Sequence, residues 1–164
     1  MEKEDEVEKW IWTEADFDKM GWHDAAVHAL AFFPADYEIA FDIDYILEWI
    51  DPKGNNNYYT FRVAPATLVF ENVHDAVFEI ESHNTDLEID NITREDPRQP
   101  LNAEYIEKQV EWLWIIECRQ GEIRFRSIGY KQFLRSQPLL GRAQRIDPKS
   151  RDFSFTRGRV DSLG

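Results

Sequence analysis

The chain contains a single cysteine, Cys118, so no intramolecular disulfide framework holds it, and a reducing compartment suits it. Only two methionines occur, and no apolar run approaches the roughly 20 residues of a membrane-spanning helix. The start, MEKEDEVEK, is acidic where a signal peptide would be basic. The expectation is a cytoplasmic protein that makes no use of a membrane. Catalytic signatures are missing as well: there is no G-x-S-x-G, phosphate-binding loop, G-x-G-x-x-G, C-x-x-C or H-E-x-x-H. No motif names a reaction, so the first expectation is a protein that acts by binding, with no cofactor.

What the chain does have is aromatic residues and acids. Eleven Phe, six Tyr and six Trp favour β-structure, where wide rings pack on a pleated surface. The formal net charge is −13, unevenly spread. Residues 142–164 hold six Arg/Lys against three acids and carry +3, leaving the other 141 residues at −16. An acidic body repels phosphates and disfavours nucleic acid; it suits a basic protein partner.

Residues 38–50 alternate cleanly. Ile39, Phe41, Ile43, Tyr45, Leu47 and Trp49 fall on one side, and Glu38, Asp42, Asp44 and Glu48 on the other, the pattern of a half-buried strand. Tyr59, Phe61 and Val63 read as the returning strand after the polar turn 51–57. Pro65 lacks an N–H and is expected to break the ladder. Strands follow at about 67–72, 76–82 and 86–92, then 110–119 and 122–128. Thr13 with Asp16 reads as a helix cap, Arg94 to Asn102 as a loop, and 129–136 as a short helix. The expected fold is mainly β, a β-sandwich or curled antiparallel sheet with one or two short helices. Residues 1–141 would form it, and 142–164 read as a basic tail whose composition is compatible with disorder.

Two constellations carry potential chemistry. His23-Asp24 and His74-Asp75 each stand just ahead of a strand. Brought together, with His28 or His83 as a further donor, they would make a metal site and a metal-dependent hydrolase. The plainer reading is a turn Asp capping backbone N–H groups. The second constellation is the outward carboxylates Asp42, Asp44, Glu79, Glu81, Asp86, Glu88 and Asp90. Like charges on neighbouring strands destabilise a sheet, so Arg62, Arg124 and Arg126, a cation or a basic partner should compensate them. Trp112 and Trp114 are a further candidate surface, for self-association into a homo-oligomer.

The stretch from Gly21 to Pro138 resembles a family of small bacterial β-rich proteins. The marks are Trp22-His23-Asp24, the run Ala64-Pro65-Ala66-Thr67-Leu68-Val69-Phe70-Glu71-Asn72-Val73, Ile92-Thr93-Arg94-Glu95, and Gly121-Glu122-Ile123-Arg124-Phe125 through Gly129-Tyr130-Lys131-Gln132. Proteins of this size, acidity and type are similar to immunity proteins of polymorphic-toxin systems. The resemblance implies a non-catalytic inhibitor of a basic partner and carries over no catalytic residue.

Overall fold

A computed structural model describes residues 7–158, of which ten segments are β-strands. In chain order they are β1 (Ile11–Thr13), β2 (Ala25–Phe33), β3 (Glu38–Ile50), β4 (Thr60–Glu71), β5 (His74–Ile80), β6 (Glu88–Arg98), β7 (Glu111–Cys118), β8 (Gly121–Ser127), β9 (Gly129–Leu134) and β10 (Leu139–Gly141). All pairings are antiparallel, in the order β1-β9-β4-β3-β2-β6-β7-β8-β5, with β10 also on β4. The expected mainly-β class is what forms, as one open sheet. Among the described residues no helix is long and apolar enough to cross a membrane.

The sheet bends where β2 changes partners. Its first residues pair with β6 (Ala25 with Ile89, Ala26 with Glu88), and from Val27 on it pairs with β3, with an irregularity between Val27 and Ala29. Bulges of this kind turn a strand and raise its twist. Phe70 on β4 accordingly meets Trp114 on β7 and Phe125 on β8, with ring centroids 5.4 and 4.8 Å away. Tyr130 and Trp22 complete this aromatic centre. Each fully buried large apolar side chain contributes about 1.5–3 kcal/mol. The buried indole N–H groups are satisfied: Trp22 donates to Gln132 (2.8 Å) and Trp114 to the Ser127 carbonyl (3.0 Å). Trp114 is fully buried and so cannot line a self-association surface, and Trp112 is half-buried under the Arg94 guanidinium.

Several sequence expectations are corrected. β4 runs unbroken through Pro65, which pairs with Asp44 on β3. The Pro65 carbonyl accepts from the Arg135 N–H on the opposite side. Its missing N–H therefore faces the gap between the end of β9 and the start of β10, where no ladder partner is due. Residues 129–134 form a strand, not a helix, wedged between β4 and β1. β6 continues through Pro97 to Arg98, past an irregularity at Glu95, so much of the expected loop is sheet. Thr13 and Asp16 do make a capping box, on a six-residue 3₁₀ helix (Glu14–Lys19).

The largest correction concerns β3. It is buried on both faces from Ile39 to Ile46. The second face is covered by the basic segment that composition suggested was a loose tail. Residues 142–158 lie along β3: the Ile146 N–H donates to Asp44 (2.9 Å), the Ser154 N–H to Asp42 (3.2 Å), and Arg157 pairs with Glu38. Ile146 packs with Ile46, Phe61 and Val63, and the Phe155 ring sits 6.1 Å from that of Phe33. Residues 159–164, including Arg159, lie outside the described residues.

Candidate functional site

Three clusters of charge organise the molecule, and each sits where a strand brings an acid against an arginine. The first is central. Asp42 and Asp44 are fully buried on β3. Arg151 donates to both Asp42 oxygens (2.9 and 2.8 Å), its Nε stands 3.0 Å from Asp44, and Arg135 donates to Asp42 at 2.8 Å. His28 Nε2 lies 2.7 Å from the other Asp44 oxygen. Burial pushes the Asp42 carboxyl up, but the Arg151 hydrogen bonds and the charges of Arg135 and Arg151 outweigh it and hold Asp42 below the usual carboxylate range. The Arg151 guanidinium, disfavoured by burial, is held above its ordinary value by the same carboxylates. Two acids and two arginines neutralise one another, so Asp42 and Asp44 are removed from the predicted outer face.

The second cluster surrounds Glu111, fully buried at the start of β7. Arg126 Nε approaches it at 3.1 Å, Arg98 at 3.5 Å and His74 Nε2 at 2.7 Å. Asp75, with Nδ1 of His74 3.1 Å away, completes the arrangement from the exposed, irregular start of β5. Arg126 is thus buried, contrary to its expected outward position, and compensates Glu111 and Asp96.

The third cluster holds His23, Asp24, Glu88 and Asp90. The Arg119 guanidinium lies 3.3 Å from Asp24, 3.0 Å from Glu88 and 3.8 Å from Asp90. Gln144 donates to the second Asp24 oxygen at 2.7 Å. Glu88 is nearly buried, and that burial, more than the opposing pull of Arg119, raises its carboxyl above the ordinary value. His23 Nδ1 meets the Asp90 carbonyl at 3.1 Å, and its ring stacks on Trp49.

The two His-Asp pairs do share a local geometry. Asp24 and Asp75 both adopt left-handed backbone, with φ of 65° and 55°. They do not share a site: His23-Asp24 belongs to the Arg119 cluster and His74-Asp75 to the Glu111 cluster. Among the described residues, the group able to present three donor atoms within 4.8 Å of one another is His23, Asp24 and Asp90. Arg119 already places a positive charge among those carboxylates. His28 belongs to the first cluster, and His83 is exposed in the 81–87 connection.

Of the seven acids expected on an outer face, Glu79, Glu81 and Asp86 are exposed and Asp90 is half-exposed. Arg124 reaches Glu79 at 3.6 Å but bonds Glu122 more closely, at 2.9 Å; Arg145 lies 3.5 Å from Asp86, and Arg62 pairs with Glu48. Sequence reasoning missed Arg135, Arg151, Glu111 and Arg119. Their one signal was the opposition of an acidic body and a basic C-terminal run. Comparison with protein-family models, with curated proteins and with solved structures finds no match to this chain.

Proposed function

We propose that the protein is a non-catalytic binding module that engages a basic surface of another protein, in the manner of an immunity-type inhibitor. The observation that carries this reading is where the exposed acids lie. The buried acids are each held by an arginine, whereas Arg124 and Arg145 approach Glu79 and Asp86 only at 3.6 and 3.5 Å, at the surface; residues 63–93 contain seven carboxylates and no lysine or arginine of their own. Glu79, Glu81 and Asp86 stand exposed within that stretch. Such a field steers a basic partner and fixes its orientation, and it weakens with salt.

Affinity capture from an extract of the producing cells tests this, comparing the wild type with Glu79→Lys/Glu81→Lys/Asp86→Lys. The wild type retains a basic protein that rising salt releases, and the folded triple variant does not. Equal retention by both proteins overturns the reading.

A further inference from the structure

β5 closes one end of the sheet order and pairs on one side only, with β8. The Glu81 N–H donates to the Gln120 carbonyl at 2.9 Å, in the same register that pairs Glu79 with Glu122 and Val77 with Arg124. In an antiparallel ladder, main-chain direction alternates along the strand. Val77 and Glu79 therefore turn their N–H and C=O toward β8, and Phe78 and Ile80 turn theirs away. Among the described residues, no other backbone group bonds those outward atoms.

Side chains alternate too. Glu79 projects to solvent, while Phe78 and Ile80 pack on the core. Beside the N-terminal end of the strand, at His74 to Ala76, opens a largely apolar groove of about 300 Å³, lined also by Phe32, Pro34, Tyr37 and Val73. Phe32 and Tyr37 are 59% and 67% exposed, and the Phe32 ring meets Phe78 edge-on at 5.4 Å.

Exposed edges are commonly guarded by lysine, proline or a bulge. Here only the N-terminal end is guarded, by the irregularity between His74 and Val77 with Asp75 in left-handed backbone. From Val77 to Ile80 the edge is regular, and Glu79, with Glu81 just past its end, gives it negative charge. A second copy of the same edge would set Glu79 against like charge, which disfavours self-pairing; a basic strand meets no such opposition.

We infer that an extended basic segment of a partner protein adds to β5 as a further strand. Its main chain bonds Phe78 and Ile80. Alternate Lys or Arg side chains lie over Glu79 and Glu81, and the intervening apolar side chains enter the groove beside Phe32 and Ala76. This is strand addition, with affinity from the main chain and specificity from alternating pockets. It rests on the protein-binding reading above and supplies the surface and the form of the partner.

The probe is a synthetic peptide of alternating lysine and valine, compared with a glutamate–valine counterpart. A third version carries N-methyl groups on the amides that would pair. Amide exchange, read residue by residue, and fluorescence anisotropy follow binding. The expected result is exchange at Phe78 and Ile80 slowed by about tenfold or more with the lysine–valine peptide. Loss of affinity of about tenfold on N-methylation, and loss of binding to Glu79→Lys/Glu81→Lys, are expected with it. Binding that depends on those glutamates but ignores N-methylation and leaves Phe78 and Ile80 unprotected overturns strand addition while sparing the wider reading. Absence of binding by the lysine–valine peptide overturns strand addition equally, and the capture experiment then decides the wider reading by itself.

Discussion

Arg151, from the basic C-terminal segment, grips Asp42 in the middle of β3 with both ends of its guanidinium, at 2.9 and 2.8 Å. The two residues are 109 positions apart in sequence, and their pairing joins the last described segment to the centre of the sheet. A bidentate arginine–carboxylate contact is among the stronger charge-assisted arrangements. Buried ion pairs add little net stability over apolar packing, but breaking one strands a charge.

Replacing Arg151 with alanine leaves Asp42 with Arg135, and Asp44 with His28 and the Ile146 N–H but no arginine. The expected cost is about 3–5 kcal/mol, a fall in melting temperature of roughly 10 °C for a domain of this size. The double change Arg151→Met/Asp42→Asn recovers part of the loss, because no unbalanced carboxylate remains at position 42. Thermal unfolding of the three proteins checks both.

Acid dependence follows from the same contact. The Asp42 carboxyl is depressed in the fold. Its contribution is complete above the unfolded value of about 4 and disappears as pH falls through the lower folded value. Glu88 is raised by burial and acts in the opposite sense: its ionisation costs stability as pH climbs through about 4.5 and beyond. Denaturant titrations across this range are expected to show a shallower acid limb for Asp42→Asn. Glu88→Gln is expected to hold its stability better than the wild type as pH rises to neutrality.

Gly121, at φ +142°, lies so close to β5 that an added Cβ would stand 1.9 Å from the Glu79 carbonyl oxygen. Gly121→Ala is expected to displace the β5 end of the sheet and to cost about 1–3 kcal/mol. Faster amide exchange from Val77 to Ile80, with β3 and β4 unchanged, is the accompanying sign.

The Cys118 thiol is pushed up to about 12 by burial, with a smaller push from Asp90. Its thiolate is scarce at neutral pH. A thiol-specific reagent should label the native protein only at the rate of opening and label the unfolded chain at once.

Added zinc should leave the melting temperature unchanged, because the Arg119 guanidinium holds the charge among Asp24, Glu88 and Asp90. A zinc-dependent rise that disappears in His23→Ala would instead mark that cluster as a metal site.

The β3–β4 hairpin and β8 were legible because Ile39 to Tyr45 and Ile123 to Phe125 alternate with polar residues, and β7 because five consecutive apolar residues, 112–116, fit a central strand. Alternation gives the side on which a residue lies, but not what covers that side. Asp42 and Asp44 alternate as solvent-facing residues do, and only a segment a hundred positions later buries them. β9 was hidden because Tyr130, Phe133 and Leu134 have helical spacing; partners on both sides decide the matter in favour of a strand. The exposed acids Glu79, Glu81 and Asp86 were readable from their turns and alternation. The separation of the two His-Asp pairs was not, because local sequence does not fix which strands become neighbours.

The most direct measurement is a binding titration of the lysine–valine peptide against three proteins, with melting temperatures recorded beside it. We expect Glu79→Lys/Glu81→Lys/Asp86→Lys to abolish binding and keep the melting temperature. Asp42→Asn should do the reverse, binding as the wild type does while melting earlier. Binding lost with Asp42→Asn and retained by the surface triple variant would contradict the division of the carboxylates into a structural centre and a recognition edge.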